Sequence, residues 1–341
     1  MNPRVVNHVN RNLVVLLTKM VMKAVNQLPP PWEPKNRGRK GYDPRLVAIC
    51  CILKVAFNLS FDGIEAYIKD SLVLKQHYQH LPGHSVIHRG MQRLSMKYIR
   101  KVMNRVTRFL RRKGMDIAVD STGFSTSNRS RWYDIRIKRK SSRRECIKLH
   151  ISVDIETGVT FSFTITSWNR HDSKEFKRLI NSLPELGNVL GDKAYSSRAN
   201  CQLVVDKKGK PYLYFKENVT SKAKGKSAWI ISLREFKNDK EKWLAIYHLR
   251  SIIESVFSSI KRRWGSFLYS RKKWMQRREL ALKVLVYNIK QVLMVRYARE
   301  NGIPLWVPVN SFHRGTQRIH LTIQCILYIS LLKIIRIHLG N

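Results

Sequence analysis

Carboxylates are scarce in this chain. Its 341 residues hold 23 Asp and Glu against 65 Lys and Arg, a formal charge of +42. A globular chain with that much self-repulsion calls for a polyanion to neutralise it, nucleic acid first and an anionic membrane surface second. The basic residues run along the whole length instead of forming one tail, which fits extended contact. Hydrophobic residues make up 43% of the chain. That is enough for real cores, and it excludes a disordered basic tail.

Cysteine and long apolar runs are also in short supply. The five cysteines, Cys50, Cys51, Cys146, Cys201 and Cys325, are odd in number and lack C-x-x-C spacing. Each lies in or beside an apolar run, so buried free thiols in a reducing cytosol are expected, not disulfides or zinc ligands. The histidines fit no metal-ligand spacing either. Residues 13–25, "LVVLLTKMVMKAV", are broken by Lys19 and Lys23 and lack a small-residue cleavage site, so no signal peptide is expected. Residues 321–332, "LTIQCILYISLL", form an uncharged run of twelve. That is short of the ~20 a spanning helix needs, so a packing or oligomer helix is expected.

Punctuation divides the chain. Residues 1–41 read as an N-terminal helix followed by a Pro-rich, then basic, linker over 27–41. Asp43-Pro44 reads as a helix N-cap with Pro at the first position, opening an apolar helix over 44–57. A break at residues 58–60 precedes the next helix, and another starts near Ser85. The periodicity predicts a helix from Met96 to Lys113, capped by Ser95 and ended by Gly114, with Phe109 on its apolar stripe. Residues 42–113 thus form an all-helical basic module of helix-turn-helix character. In that arrangement 85–94 is the reading helix, with His88, Arg89, Gln92 and Arg93 facing DNA. The plainer alternative is a small helical domain with a solvated basic face.

The texture changes after Gly114. Residues 115–122, "MDIAVDST", are a short apolar run ending at Asp120, and 146–167 read as a β-hairpin turning at 154–158. Residues 171–183 read as a helix with an Asp172/Glu175 capping box. Short strands are expected over 187–192, ending in Asp192, and over 211–215. These elements predict an α/β domain over 114–298, with a mixed sheet flanked by helices. Asp120 and Asp192 then lie at the carboxyl ends of strands, where open sheets place ligands. Asp154 and Glu156 read as turn residues, and Asp134 and Glu145 as solvated or DNA-facing members of a basic loop.

Glu254 is the one acid between Leu244 and Lys273. The stretch 247–264, "YHLRSIIESVFSSIKRRW", has helical periodicity. At about 100° per residue, Tyr247, Arg250, Glu254 and Lys261 fall within roughly 60° of one another. Taken alone, Arg250 and Glu254 could be an ordinary i,i+4 pair. With Asp120 and Asp192, however, three carboxylates can converge, and such a site suits Mg²⁺ or Mn²⁺, whose preferred ligands are oxygens. Two such ions activate water or a hydroxyl in phosphodiester cleavage.

"IAVDST", "GDKAY" and the spacing Y-x2-R-x3-E-x6-K resemble the three catalytic blocks of DDE-type insertion-sequence transposases, in particular the prokaryotic group with the Y-R-E-K signature. The resemblance spans about residues 42–295, with Ala194 where many relatives have Gly. It implies an RNase H-like catalytic domain with a small insertion near 218–243, and Asp120, Asp192 and Glu254 as ligands of two Mg²⁺ or Mn²⁺ ions. It implies DNA-positioning roles for Tyr247, Arg250, Lys261 and Tyr195, with Arg262 and Arg263 in the same basic stretch. The expected partners are double-stranded DNA at the element ends and target, and a second copy of the chain when DNA-bound; no membrane partner is expected. The setting implied is a prokaryotic cytoplasm, at the nucleoid. A nuclease or resolvase that cuts without joining, and a catalytically inert DNA-binding protein, are the alternatives. The C-terminal tail, 299–341, is expected to be helical and matches nothing recognised.

Overall fold

The computed structural model describes residues 1–34, 41–126, 136, 146–216, 219 and 227–307. Asp134, Glu145, residue 218, residues 220–226 and the tail from 308, with Cys325 and the apolar run 321–332, lie outside the described residues.

Seven helices come first: α1 Pro3–Arg11, α2 Leu13–Asn26, α3 Pro44–Ala56, α4 Phe61–Asp70, the single turn α5 Leu72–Lys75, α6 His84–Arg93 and α7 Met96–Thr107. Asp43 caps α3 by accepting from Arg45 N at 2.8 Å, with Pro44 behind it. The chain then bends by 112° into α4, where Ser60 caps by accepting from Gly63 N. Helix α6 packs on α3 at Gly90, where a Cβ would stand 2.1 Å from Val47 Cγ1. Only glycine permits that approach.

Helix α7 is capped by Ser95 as expected, but it ends at Thr107 and tightens into a 3₁₀ turn over Arg108–Leu110. The reason is the entry into the sheet. Gly114 turns with φ +69°, and Arg111 and Arg112 leave the helix to bind what lies ahead. Arg111 donates to Ser182 O at 3.0 Å, and Arg112 bridges Asp154 and Glu156. Phe109 is 51% exposed and off the apolar stripe.

The sheet has strands β1 Met115–Ser125, β2 Cys146–Asp154, β3 Thr160–Ser167, β4 Leu186–Gly191 and β5 Lys210–Leu213, in the order β3-β2-β1-β4-β5. The pairs β1–β2 and β2–β3 are antiparallel, and the pairs β1–β4 and β4–β5 are parallel. Strand β1 runs three residues past Thr122 because Phe124 is buried and its backbone pairs with Ile147. The β2–β3 hairpin turns as expected: Asp154 accepts from Thr157 N and Oγ1, and Gly158 takes φ +69°.

Helices α8 Ser173–Asn181, α9 Arg198–Asp206, α10 Ala228–Asn238 and α11 Lys240–Tyr247 follow. The predicted capping box on α8 is absent. Asp172 accepts from Lys148 Nζ at 2.9 Å instead, and Glu175 is buried against Arg170 and Arg178. Salt bridges outbid the helix start for both carboxylates. Helices α10 and α11 cover β5 through an aromatic cluster of Tyr212, Phe215 and Trp243, backed by Phe236 and Tyr247. A 3₁₀ turn over His248–Ser251 leads to α12 Ile252–Trp264, and α13 Lys273–Glu300 closes the described chain. Helix α13 packs against α1, α2, α3, α7 and β3, so one core runs from Val5 to Ala298.

Candidate active site

The site begins with strand register. In the parallel pair β1–β4, Val119 lies opposite Gly191. Strand β4 ends there, so the next residues, Asp120 and Asp192, leave adjacent strands at the same level. Asp120 does not end its own strand, as expected from sequence; β1 continues on β2, with Asp120 opposite Ile151. What ends is the neighbour, and that opens the sheet beside Asp120.

Arg250 joins this point to α12. The stretch 247–264 is not one regular helix, because His248–Ser251 is 3₁₀. Even so, Arg250 Nη1 donates to Asp120 Oδ2 at 2.6 Å and its Nη2 to Glu254 Oε1 at 3.2 Å. The i,i+4 pair therefore exists, and it is half of a bridge. The Tyr247 ring lies 5.8 Å from the guanidinium. Asp120 Oδ1 accepts from Ser121 N at 2.7 Å, and Asp192 Oδ1 from Ala194 N at 2.9 Å. Lys261 turns away from Glu254 and donates to Thr122 Oγ1 at 2.6 Å.

Charge is strained here. Burial pushes the Asp120 carboxyl up to about 6; the Ser121 N–H and Arg250 oppose this, while Asp192 and Glu254 reinforce it. Burial also lowers the Lys261 ammonium below its ordinary range.

The other predicted residues divide. Tyr195 is fully buried, its ring 5.9 Å from Phe176, and burial raises its phenol well above the usual range. It packs inside the protein, with no exposed surface offered for the DNA-positioning role that the resemblance implies. Arg262 and Arg263 are exposed on α12. On α6, His88, Arg89 and Arg93 are all exposed. His88 meets Phe61 edge-on and Arg93 lies 4.8 Å over Trp32. His88 and Gln92 line a cleft of about 450 Å³ with Trp264, Tyr269, Arg271 and Lys272.

Sequence reasoning passed over Thr122, Lys148 and His150. In register, His150 lies opposite Ser121 and Lys148 opposite Gly123. Lys148 holds Asp172, and His150 Nδ1 stands 3.5 Å from the same carboxylate. The available signal was a basic residue and a histidine on alternate positions of an otherwise apolar strand.

The family described as the transposase DDE domain matches residues 111–289, more than half of the 341. The chain belongs to that family. It is also 27% identical over 238 residues to a probable transposase for insertion sequence element ISA1214 of Archaeoglobus fulgidus, covering 67% of this chain and 70% of the relative. An uncharacterized protein of Aquifex aeolicus is 22% identical over 202 residues, covering 56% of this chain and 60% of its own length. A cryo-EM structure of the piggyBac transposase synaptic complex with hairpin DNA covers 96% of this chain and 79% of its own at 8% identity, with a TM-score of 0.44. A likeness that loose carries no argument.

The carboxylates of this DDE-type transposase fit a hard divalent cation in kind: their donors are all oxygen, and burial and like charge hold Asp120 above the usual carboxylate range. As they stand they do not form a ligand set. Among the described residues, no three His, Cys, Asp or Glu converge on one ion. Arg250 joins two of the candidates instead. No single helix among the described residues is long and apolar enough to cross a membrane.

Proposed function

We propose that this transposase binds the ends of its own insertion sequence, cuts them by phosphodiester hydrolysis and joins the exposed 3′-OH to target DNA. Asp120, Asp192 and Glu254 are the proposed holders of Mg²⁺ or Mn²⁺. The observation that supports this most is the β1–β4 register, which sets Asp120 beside Asp192, with Glu254 tied to the same point through Arg250. When bound, such ions polarise the phosphate and activate the attacking water or hydroxyl.

The chain's own residues do the holding. Arg250, on the Tyr247 ring, offers a planar two-pronged donor suited to a phosphate. Lys261, fixed on Thr122, places a second cation along the same path. Arg262 and Arg263 extend that path over the exposed face of α12. The exposed basic face of α6, with His88, Arg89 and Arg93, supports a reading role in the DNA major groove, as the second element of a helix-turn-helix. The charge of +42 supports double-stranded DNA as the partner. A second copy of the chain at the paired ends completes the proposal.

The test is incubation of pure protein with duplex DNA carrying the element's terminal repeats and Mg²⁺, with 3′ ends mapped. New 3′ ends at the repeat boundary, and their joining to a target duplex, are the expected result. Cuts without joining would reduce the function to that of a nuclease. No cut, with binding to repeat and random DNA alike, would remove it.

A further inference from the structure

Arg250 touches two of the three carboxylates proposed to hold the ions, and it does so from a half-buried position. Its side chain is 19% exposed, with Nη1 at 2.6 Å from Asp120 and Nη2 at 3.2 Å from Glu254. Both oxygens of Asp120 are thereby engaged, one by the guanidinium and one by the Ser121 N–H. Lys261, the other cation of the stripe, is committed to Thr122. The guanidinium therefore stands where a cation is called for.

We infer that Arg250 is the resident counter-cation of these carboxylates, and that its bridge and a divalent ion on Asp120 and Glu254 exclude one another. The inference rests on the reading of these carboxylates as ion holders. Two reasons carry it. A dication bound at Asp120 Oδ2 and Glu254 Oε1 would lie directly against the guanidinium that bonds both oxygens, and like charges at that range repel in a half-buried site. And the arrangement in place brings no three metal-ligating side chains together among the described residues. Releasing Arg250 is what frees Asp120 Oδ2 and Glu254 Oε1.

A phosphate is the natural acceptor for the released guanidinium. DNA and ion then help one another. A duplex end that takes Arg250 raises ion affinity at Asp120, and the ion raises DNA affinity by the same factor. The chain keeps its cutting site closed until substrate arrives, with Arg250 as the positioning residue that links the two events.

The experiment titrates full-length, DNA-free protein with Mn²⁺ and reads free Mn²⁺ by electron paramagnetic resonance. Arg250→Gln is expected to bind Mn²⁺ ten-fold or more tightly than wild type, at a site that Asp120→Asn abolishes. Arg250→Lys keeps the charge but cannot span both carboxylates, so it tightens binding by a smaller factor and serves if the Gln variant fails to fold. Adding a terminal-repeat duplex should tighten Mn²⁺ on wild type far more than on Arg250→Gln. Equal or weaker binding in both Arg250 variants, with Asp120-dependent binding intact in wild type, overturns the exclusion and leaves the carboxylates as ion holders. No Asp120-sensitive binding in any variant, with or without DNA, overturns both.

Discussion

Lys283 offers a sharp test of how α12 is held. It is 2% exposed, inside α13. Its Nζ donates to Phe267 O at 2.8 Å and lies 3.4 Å from Glu279 Oε1. Glu279 is 6% exposed and accepts from Tyr269 N at 3.1 Å and Ser270 N at 2.9 Å. Together they fix the loop after α12 from both sides. That loop in turn meets the end of β1, through Ser125 N to Ser266 O and Leu268 N to Ser125 O. The pair therefore locks the helix that carries Glu254 onto the strand that carries Asp120.

Consider Lys283→Met. The Met fills most of the volume, so little cavity term is expected. What is lost is the partner of a buried carboxylate and the donor to a buried carbonyl. Removing one member of a buried pair costs about 3–5 kcal/mol, and Met returns roughly 1 kcal/mol of apolar burial. The two backbone N–H groups still facing Glu279 argue for the low end of the net cost, about 2 kcal/mol. At about 2 °C per kcal/mol for a chain of this size, melting should fall by roughly 4 °C. Adding Glu279→Gln removes the stranded charge, so the double variant should be more stable than Lys283→Met. Chemical and thermal denaturation of the four members of this cycle supply the coupling. A Lys283→Met protein within about 0.5 kcal/mol of wild type, a change no larger than that of a surface substitution, would refute the reasoning.

Three further outcomes are expected. Asp120→Asn, Asp192→Asn and Glu254→Gln should each lower end cleavage by roughly 100-fold or more, about 2.7 kcal/mol of barrier, while DNA binding measured by mobility shift holds or strengthens. Gly90→Ala should destabilise the α3–α6 contact by about 1–3 kcal/mol, since its Cβ meets Val47 Cγ1, and repeat binding should weaken with it. Glu65 is drawn down to about 2, chiefly by its hydrogen bond from Lys69, with His84 adding. Its folded value lies below the unfolded one, so its contribution is present above about pH 4.3 and is lost as pH falls toward 2. Glu65→Gln should flatten that part of the acid denaturation profile, followed by circular dichroism.

Much of this was legible because it is local. The Asp43-Pro44, Ser60 and Ser95 caps lie in single turns, and the 154–158 hairpin is set by a Gly with φ +69° and an Asp that accepts from the residue three places on. What failed depends on distant partners. Arg111 and Arg112 look helical by composition, yet Ser182, Asp154 and Glu156 draw them out of α7. The Asp172/Glu175 spacing fits a capping box, but Lys148 and Arg170 claim those carboxylates from other elements. Tyr195 sits in a block rich in polar residues, and nothing in that block reveals Phe176 packed against its ring. The Asp120–Asp192 adjacency needed the register of β1 on β4, which two short strands 70 residues apart in sequence do not disclose.

The shortage of carboxylates now has a physical consequence. Several of those in the described chain are tied into structure: Glu65 at the start of α6, Asp154 in the hairpin, Glu175 under Arg170 and Arg178, Glu279 in the loop after α12. At Asp120 the balance differs. Burial chiefly raises its proton affinity and Asp192 and Glu254 add to this, against the Ser121 N–H and Arg250 at hydrogen-bond distance. In the proposed function, a phosphate brought to these carboxylates meets like charge there. Some cation must stand between phosphate and carboxylates there. The cation that bonds Asp120 and Glu254 is the Arg250 guanidinium, which can offset their charge but cannot polarise a bound water as a dication does. On the proposed reading, the excess of positive charge gathers the substrate, and cutting depends on what replaces Arg250 at the isolated acids.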